Sequence, residues 1–452
     1  MISQRVSSDE MNAHKRLSML FDEGTFVEVG AFLHRAKTEL DIDSGDELEP
    51  VVTGYGSVGG TLVYAFSQDF SRLSGALGEM HAKKIVKIYD MAIRSGAPVV
   101  GVFDSAGAKI LEGVDALAGY GRIMAKAAEA KGICPQTAVI AGPCGGSNAV
   151  IARMFDVIIA VESGSLYIAP ASVLTDKNMI GADGLYERGT ASLKAKDDAE
   201  AMALVRRLIP YFGARSDSSD DASRASDISD ILENENYEMR DVIAQTFDSG
   251  SFFELGGGHA AHMITGFATL NSNVVGVVAN DPAQKGGKLC PCAADKAADF
   301  VSLCSSLGMP IVTLVDTDGV ASFEKAEQKD ISLKLARLAG AYADDMSVGG
   351  PKITAVLGKA YGTAYTVMGS KSLGVDVAIA LDRAKIAPME PLRAVEFLGD
   401  VADESKKDEI AAEWAAKFAT PLEAAKSGHI DDIIDASELR ARLAASLEML
   451  LF

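Results

Sequence analysis

An internal repeat constrains this chain more than any other feature. The segment LFDEGTFVEVG, Leu20 to Gly30, returns as TFDSGSFFELG, Thr246 to Gly256. Val52-Thr53-Gly54-Tyr55-Gly56, with the run Leu62 to Phe66 and Asp69, is answered by Ile264-Thr265-Gly266-Phe267-Ala268, the run Val274 to Val278 and Asp281. Ala97 to Asp104 with Gly107 matches Met309 to Asp316 with Gly319. Gly142 and Gly146 match Gly358 and Gly362, and Asp156 to Ala160 matches Asp376 to Ala380. Ile168-Ala169-Pro170 matches Ile386-Ala387-Pro388. The matches keep one order, and their spacing shortens across the acidic stretch Asp41 to Pro50, as a loop insertion requires. A duplicated unit of about 200 residues has the size of one domain.

Within each copy, short apolar runs alternate with helical patterns such as Glu79 to Arg94, Gly113 to Ala130, Asp295 to Leu307 and Ile331 to Asp344. Such alternation predicts an α/β fold with parallel strands and crossover helices. The expected organisation is a first domain over 1–215, a linker over 216–235 and a second domain over 236–452. Ser and Asp fill eleven of the eighteen positions from Gly213 to Asp230, which reads as exposed linker. The tail carries two further helical patterns, Glu409 to Phe418 and Ser437 to Leu450.

A net charge of −20 argues against nucleic acid or an anionic membrane as main partner. The chain opens on polar residues, and no apolar stretch has the length of a membrane helix. A cytoplasmic location with reduced thiols is the expectation. Cys290-Pro291-Cys292 and Cys304 lack four-ligand zinc spacing, so no metal is expected.

The chemistry points to backbone rather than side chains. No nucleophile elbow, P-loop or dinucleotide fingerprint occurs, and His81, His259 and His262 read as structural. Each copy instead has a strand ending in a glycine turn and a second strand that runs through glycines into a helix. In the first copy these are Ser105-Ala106-Gly107-Ala108 and Gly145-Gly146-Ser147; in the second, Asp318-Gly319-Val320 and Gly362-Thr363-Ala364. N–H groups from two turns aimed at one oxygen form an oxyanion hole. The candidate catalytic residues are Gly107, Ala108, Gly146 and Ser147, with Gly319, Val320, Thr363 and Ala364.

The same residues carry a family resemblance. Phe66-Ser67-Gln68-Asp69-Phe70, Gly78 to Lys84, Asp104 to Val114, Gly142-Pro143-Cys144, Lys359 to Lys371 and Gly428 to Ile434 closely resemble the biotin-dependent acyl-CoA carboxyltransferases. This is the family of the propionyl-CoA carboxylase beta subunit and the methylmalonyl-CoA decarboxylase alpha subunit. The resemblance covers nearly the whole chain. It implies two crotonase-like halves, assembled as a homo-oligomer, usually a hexamer. It implies that the first half holds a short-chain acyl-CoA and the second holds biotin at Gly362, Thr363, Ala364 and Tyr365. The cofactor then supplies the base that the side chains lack. No Met-Lys-Met segment is present. Biotin is therefore expected on a separate biotin carboxyl carrier protein, with a biotin carboxylase or a membrane decarboxylase subunit as further partner.

The chain departs from the family at Ala106-Gly107, Lys109, Ser147-Asn148, Thr363, Thr317-Asp318-Gly319-Val320, Met389-Glu390-Pro391 and the loop Asp176 to Gly189, and side chains are expected to crowd both pockets. Two alternatives stay open: a single-substrate crotonase-type hydratase or thioesterase, and a non-catalytic scaffold of a biotin-carrier complex.

Overall fold

The computed structural model describes residues 12–34, 48–169, 173–216, 220, 224–344, 349–399 and 406–452. Pro170 and most of the acidic stretch at 41–50 lie outside them. The chain divides into two compact units, Met1–Phe212 and Gly213–Phe452.

The first unit is built on β1 (Val27–Glu28), β2 (Val51–Val58), β3 (Thr61–Gln68), β4 (Val99–Ser105), β5 (Gln136–Gly145), β6 (Val157–Val161), β7 (Ser165–Tyr167) and β8 (Leu193–Ala195). Their order is β1-β2-β3-β4-β5-β6-β8, and β7 pairs the far end of β5. The second unit repeats this with β9 (Phe253–Leu255), β10 (Met263–Leu270), β11 (Asn273–Asn280), β12 (Ile311–Thr317), β13 (Lys352–Tyr361), β14 (Val377–Leu381), β15 (Lys385–Ala387) and β16 (Asp432–Ile434). Its order is β16-β14-β13-β12-β11-β10-β9, with β15 on β13.

From β3 to β8 and from β11 to β16 the pairing is parallel, as the alternation with helices predicts. Each copy nevertheless begins with an antiparallel hairpin, β2–β3 or β10–β11. The reason is local. Gly59-Gly60 and Asn271-Ser272 all have positive φ, which suits the tight primed turns of two-residue hairpins. In each copy an aspartate of the repeat caps the turn: Asp22 accepts from Gly59 and Gly60, and Asp248 from Asn271 and Ser272.

The parallel strands are apolar on both faces because both faces are covered. In the first unit Phe66, Phe103, Ile140 and Ile158 pack on Ile85, Ile88 and Tyr89 of the helix Glu79–Ser95. Val63, Val102, Val139 and Ile159 pack the other way, on Leu17, Leu20, Met202 and Val205.

The Ser/Asp-rich stretch is not simply exposed. Ser216 donates to Ser272, Arg224 to Phe247, and Ile228 and Leu232 enter the core of the second unit. Its polar composition hides two apolar anchors at the end of the run.

An arginine from a late helix of each unit closes on the turn-capping aspartate. Arg206 reaches Asp22 with both side chains about a third exposed (37% and 29%), while Arg440 reaches Asp248 with both buried (3% and 2%). Arg440→Leu is expected to cost about 3–5 kcal/mol, because it takes the cation away from a buried carboxylate. Arg206→Leu is expected to cost less than about 1 kcal/mol, because water screens that pair. Urea denaturation of the two variants measures the difference.

Candidate functional site

The strand ends carry the candidate site in each unit. β4 and β5 run parallel to Ser105 opposite Cys144, with an irregularity between Phe103 and Ser105. β12 and β13 do the same to Thr317 opposite Ala360, with an irregularity between Val315 and Thr317. Beyond these points each chain turns out of the sheet.

The turns after β4 and β12 are built alike. Gly107 has φ +132 and Gly319 φ +114, conformations that side chains rarely adopt. The Gly107 N–H donates to Ser105 Oγ at 3.2 Å, and the Gly319 N–H to Thr317 Oγ1 at 3.1 Å. The Gly107 carbonyl accepts from Leu77 at 2.9 Å, and Lys109 donates to Leu77 at 2.9 Å. Gly319, Leu289 and Ala321 repeat this at 3.0 and 2.8 Å. Between those bonds, the N–H groups of Ala108 and Val320 donate to no described residue.

The second turn starts the helices Ser147–Arg153 and Gly362–Val367. Gly146 has φ +59 and Gly362 φ +58. The Gly146 N–H is taken by the Tyr167 carbonyl at 2.9 Å, which leaves Ser147 as the first N–H of the helix. Thr363 and Ala364 occupy the equivalent first turn. The two turns of a unit lie side by side: a Cβ on Gly145 would fall 3.3 Å from the Ala106 carbonyl, and one on Gly319 3.6 Å from the Tyr361 carbonyl.

The expected site residues are thus brought together within each unit, but they are not equivalent. Gly107, Gly146 and Gly319 spend their N–H groups on internal bonds; Ala108 and Val320 donate to no described residue, and Ser147 and Thr363 lie in the first turn of their helices. The expected crowding by side chains is limited. Asn148 is buried and turns inward to accept from Gln68 Nε2 at 3.4 Å. Thr363 is exposed, so its side chain extends to solvent.

Sequence reasoning missed the groups that hold these turns. Asp104 and Asp316, seen only as part of the repeat, are buried at the ends of β4 and β12. A Cβ on Gly142 would lie 1.9 Å from Asp104 Oδ1, and one on Gly358 2.2 Å from Asp316 Oδ2. Those glycines therefore make room for a carboxylate, not for a ligand. Arg16 Nη1 donates to Asp104 at 2.7 Å and Nε to Asp198 at 2.7 Å. Burial opposes the charge on Arg16, but Asp198 and Asp104 outweigh it and raise its pKa above the usual value. Asp316 instead accepts from the Tyr237 hydroxyl at 2.9 Å and the Lys359 N–H at 2.9 Å. Burial pushes its carboxyl up, against those two donors. Nothing local in the sequence ties Arg16 or Tyr237 to these aspartates.

His81 is fully buried; burial and the nearby Lys84 push its pKa down to about 3, so it is neutral. His262 meets Cys290 Sγ at 3.3 Å and is pushed down to about 4 by burial, Lys285 and Lys296.

An apolar cleft of about 410 Å³ opens beside the helix start of the first unit. Ala149, Tyr167, Ile168 and Ile180 line it, with Arg153 and Arg188 as its cations. Ile180 and Arg188 come from the segment Asp176 to Gly189, which is not the expected loop: Asn178–Ile180 forms a 3-10 turn and Ala182–Glu187 a helix that ends at Arg188.

Comparison with known proteins follows this geometry. The carboxyl transferase domain family matches residues 6–451. The methylmalonyl-CoA decarboxylase subunit alpha of Propionigenium modestum is 38% identical over 99% of this chain and 92% of its own. The propionyl-CoA carboxylase beta chain of Roseobacter denitrificans is 36% identical over 98% and 91%. A solved structure of transcarboxylase 12S, described as a hexamer with methylmalonyl-coenzyme A and methylmalonic acid bound, superposes with a TM-score of 0.91 at 32% identity, covering 98% of this chain and 91% of its own. The duplicated crotonase-like α/β fold expected from the sequence is the fold of this chain.

Proposed function

Because the chain belongs to the carboxyl transferase family, we propose that it moves a carboxyl group between carrier-borne biotin and a short-chain acyl-CoA of the propionyl-CoA/methylmalonyl-CoA or acetyl-CoA/malonyl-CoA class. The observation that carries this reading is the matched pair of backbone N–H groups that donate to no described residue, Ala108 in the first unit and Val320 in the second. Carboxyl transfer develops negative charge on two oxygens, one on the thioester and one on the biotin ureido group, so it needs two such sites. A hydratase or thioesterase needs one, plus a side-chain acid or base.

In the first unit, Ala108 and Ser147 present N–H groups to the thioester oxygen, and the apolar cleft beside Ala149 takes the acyl-CoA. In the second, Val320 and the turn Gly362, Thr363, Ala364 and Tyr365 hold the biotin ring. The free donor at Val320 and the exposed Thr363 turn fit a neutral ring with one polar oxygen. Bound biotin supplies the carboxyl group and the base. The chain's own residues polarise and orient. Each donor is worth about 3–4 kcal/mol of transition-state stabilisation in a preorganised site.

The partners follow from this reading: a biotin carboxyl carrier protein, a biotin carboxylase or membrane decarboxylase subunit, and further copies of the chain, six in the family's usual assembly. Among the described residues no helix is long and apolar enough to cross a membrane. A cytoplasmic location is part of the proposal.

The test is carboxyl transfer from methylmalonyl-CoA or malonyl-CoA to a biotinylated carrier domain. Transfer that requires biotin is expected. Acyl-CoA turnover without biotin would mean a hydratase or thioesterase. Carrier binding without turnover of any acyl-CoA would mean a scaffold.

A further inference from the structure

The duplication also exposes a difference between the units. In the first, the helix Glu79–Ser95 begins at Gly78, and its start is occupied by a carboxylate of the chain itself. Glu112 Oε2 accepts from the Glu79 N–H at 2.6 Å, and Glu112 Oε1 pairs with Lys109 Nζ at 2.8 Å. The fit is close: a Cβ on Gly78 would lie 2.4 Å from that carboxylate.

The bridges Leu77↔Ala108 and Leu289↔Val320 align the second unit, placing Cys290 at the position of Gly78 and Glu324 at that of Glu112. There the arrangement is open. The helix Pro291–Ser306 has no side-chain cap and no acidic residue in its first turn. Glu324 is exposed and accepts from Gln328. In place of a carboxylate lies a cleft of about 650 Å³, with Cys290, Pro291 and Cys292 of the helix start in its wall.

Its other walls are basic. Lys285, Lys288, Lys325 and Lys329 line it, with Arg393, and no Asp or Glu does. Among the described residues none of the four lysines has an ion-pair partner. A chain of net charge −20 thus gathers four unpaired lysines, beside an Arg393 that pairs with Glu390, around the uncapped start of a sixteen-residue helix. Like charges held together repel unless an anion joins them. Lysine is a point-charge donor suited to phosphate, and a helix N-terminus adds backbone donors and positive potential. Phe323, 53% exposed, supplies a flat apolar wall.

We propose that this cleft binds a small phosphorylated anion, which takes the place that the Glu112 carboxylate fills in the first unit. The proposal does not depend on carboxyl transfer. The phosphate groups come either from a free phosphate compound or from a nucleotide whose base lies on Phe323.

The full chain is titrated calorimetrically with pyrophosphate and with ADP. Saturable binding of at least one is expected. Lys285→Gln/Lys329→Gln should weaken it at least about tenfold, since two charge-assisted contacts are lost. ADP binding that Phe323→Ala weakens assigns a nucleotide; equal affinity for ADP and pyrophosphate assigns the phosphate alone. Cys290 and Cys292 provide a second readout, because they are half-buried at the cleft while Cys134, Cys144 and Cys304 are buried. The ligand should slow their carbamidomethylation in the wild type and not in the double variant. No saturable binding of either compound, or binding unchanged by the double variant, overturns the proposal.

Discussion

Ala108→Pro is expected to lower the rate of carboxyl transfer by about 10²–10³-fold, and Val320→Pro by a similar factor, the usual loss when one oxyanion donor is removed. Proline deletes the N–H at that position. The Ala108 N–H donates to no described residue, and the Leu77 bonds on either side use Gly107 and Lys109. The same holds for Val320 between Gly319 and Ala321. The helical content and urea midpoint should therefore stay near those of the wild type while kcat falls. On the proposed roles, Ala108 at the thioester and Val320 at biotin, each single variant should cost nearly as much as both together, because transfer needs both oxygens held. Wild-type kcat in either variant, with the fold intact, would remove that N–H from the mechanism.

Arg16→Met should destabilise the first unit by about 3–5 kcal/mol, because it leaves the Asp104 carboxylate buried without its cation. Arg16 also binds the Gln68 carbonyl and Asp198, so β3, β4 and the helix Asp198–Leu208 loosen together. The matching change in the second unit, Tyr237→Phe, should cost about 1–3 kcal/mol, because Asp316 loses one donor and keeps the Lys359 N–H. Urea unfolding should rank them in that order. Because Asp104 ends the strand that leads into Gly107 and Ala108, Arg16→Met should also reduce transfer below its unfolding midpoint. A stable Arg16→Met chain with full activity would show that the pair positions nothing.

Much of this protein is legible in its sequence, for a physical reason. Periodicity and turn chemistry are local, so the runs at Val99 to Phe103 and Ile311 to Val315 announce buried strands and the helix patterns between them announce crossovers. The duplication doubles that signal. Gly107 and Gly319 stand out because their φ demands glycine. The hairpins are harder to read: Gly59-Gly60 is a hairpin signal, but the apolar runs on either side look like those of buried parallel strands. Ile228 and Leu232 were read as linker because the Ser/Asp run around them dominates composition.

By itself, then, the sequence determined two α/β units with parallel strands and crossover helices, and the glycine turns that can offer backbone donors. The tertiary structure alone decided which donors are consumed by internal bonds. The N–H groups of Gly107 and Gly319 are consumed by Ser105 and Thr317, and that of Gly146 by Tyr167, leaving Ala108, Val320 and Ser147. It also decided that Gly142 and Gly358 yield space to Asp104 and Asp316, and that Glu112 caps a helix in one unit while lysines surround the equivalent start in the other. These pairings join residues far apart in the chain, such as Arg16 and Asp104, whose side chains leave no periodic trace. Only packing brings them within hydrogen-bond reach, and only there is it settled which polar groups remain for a substrate.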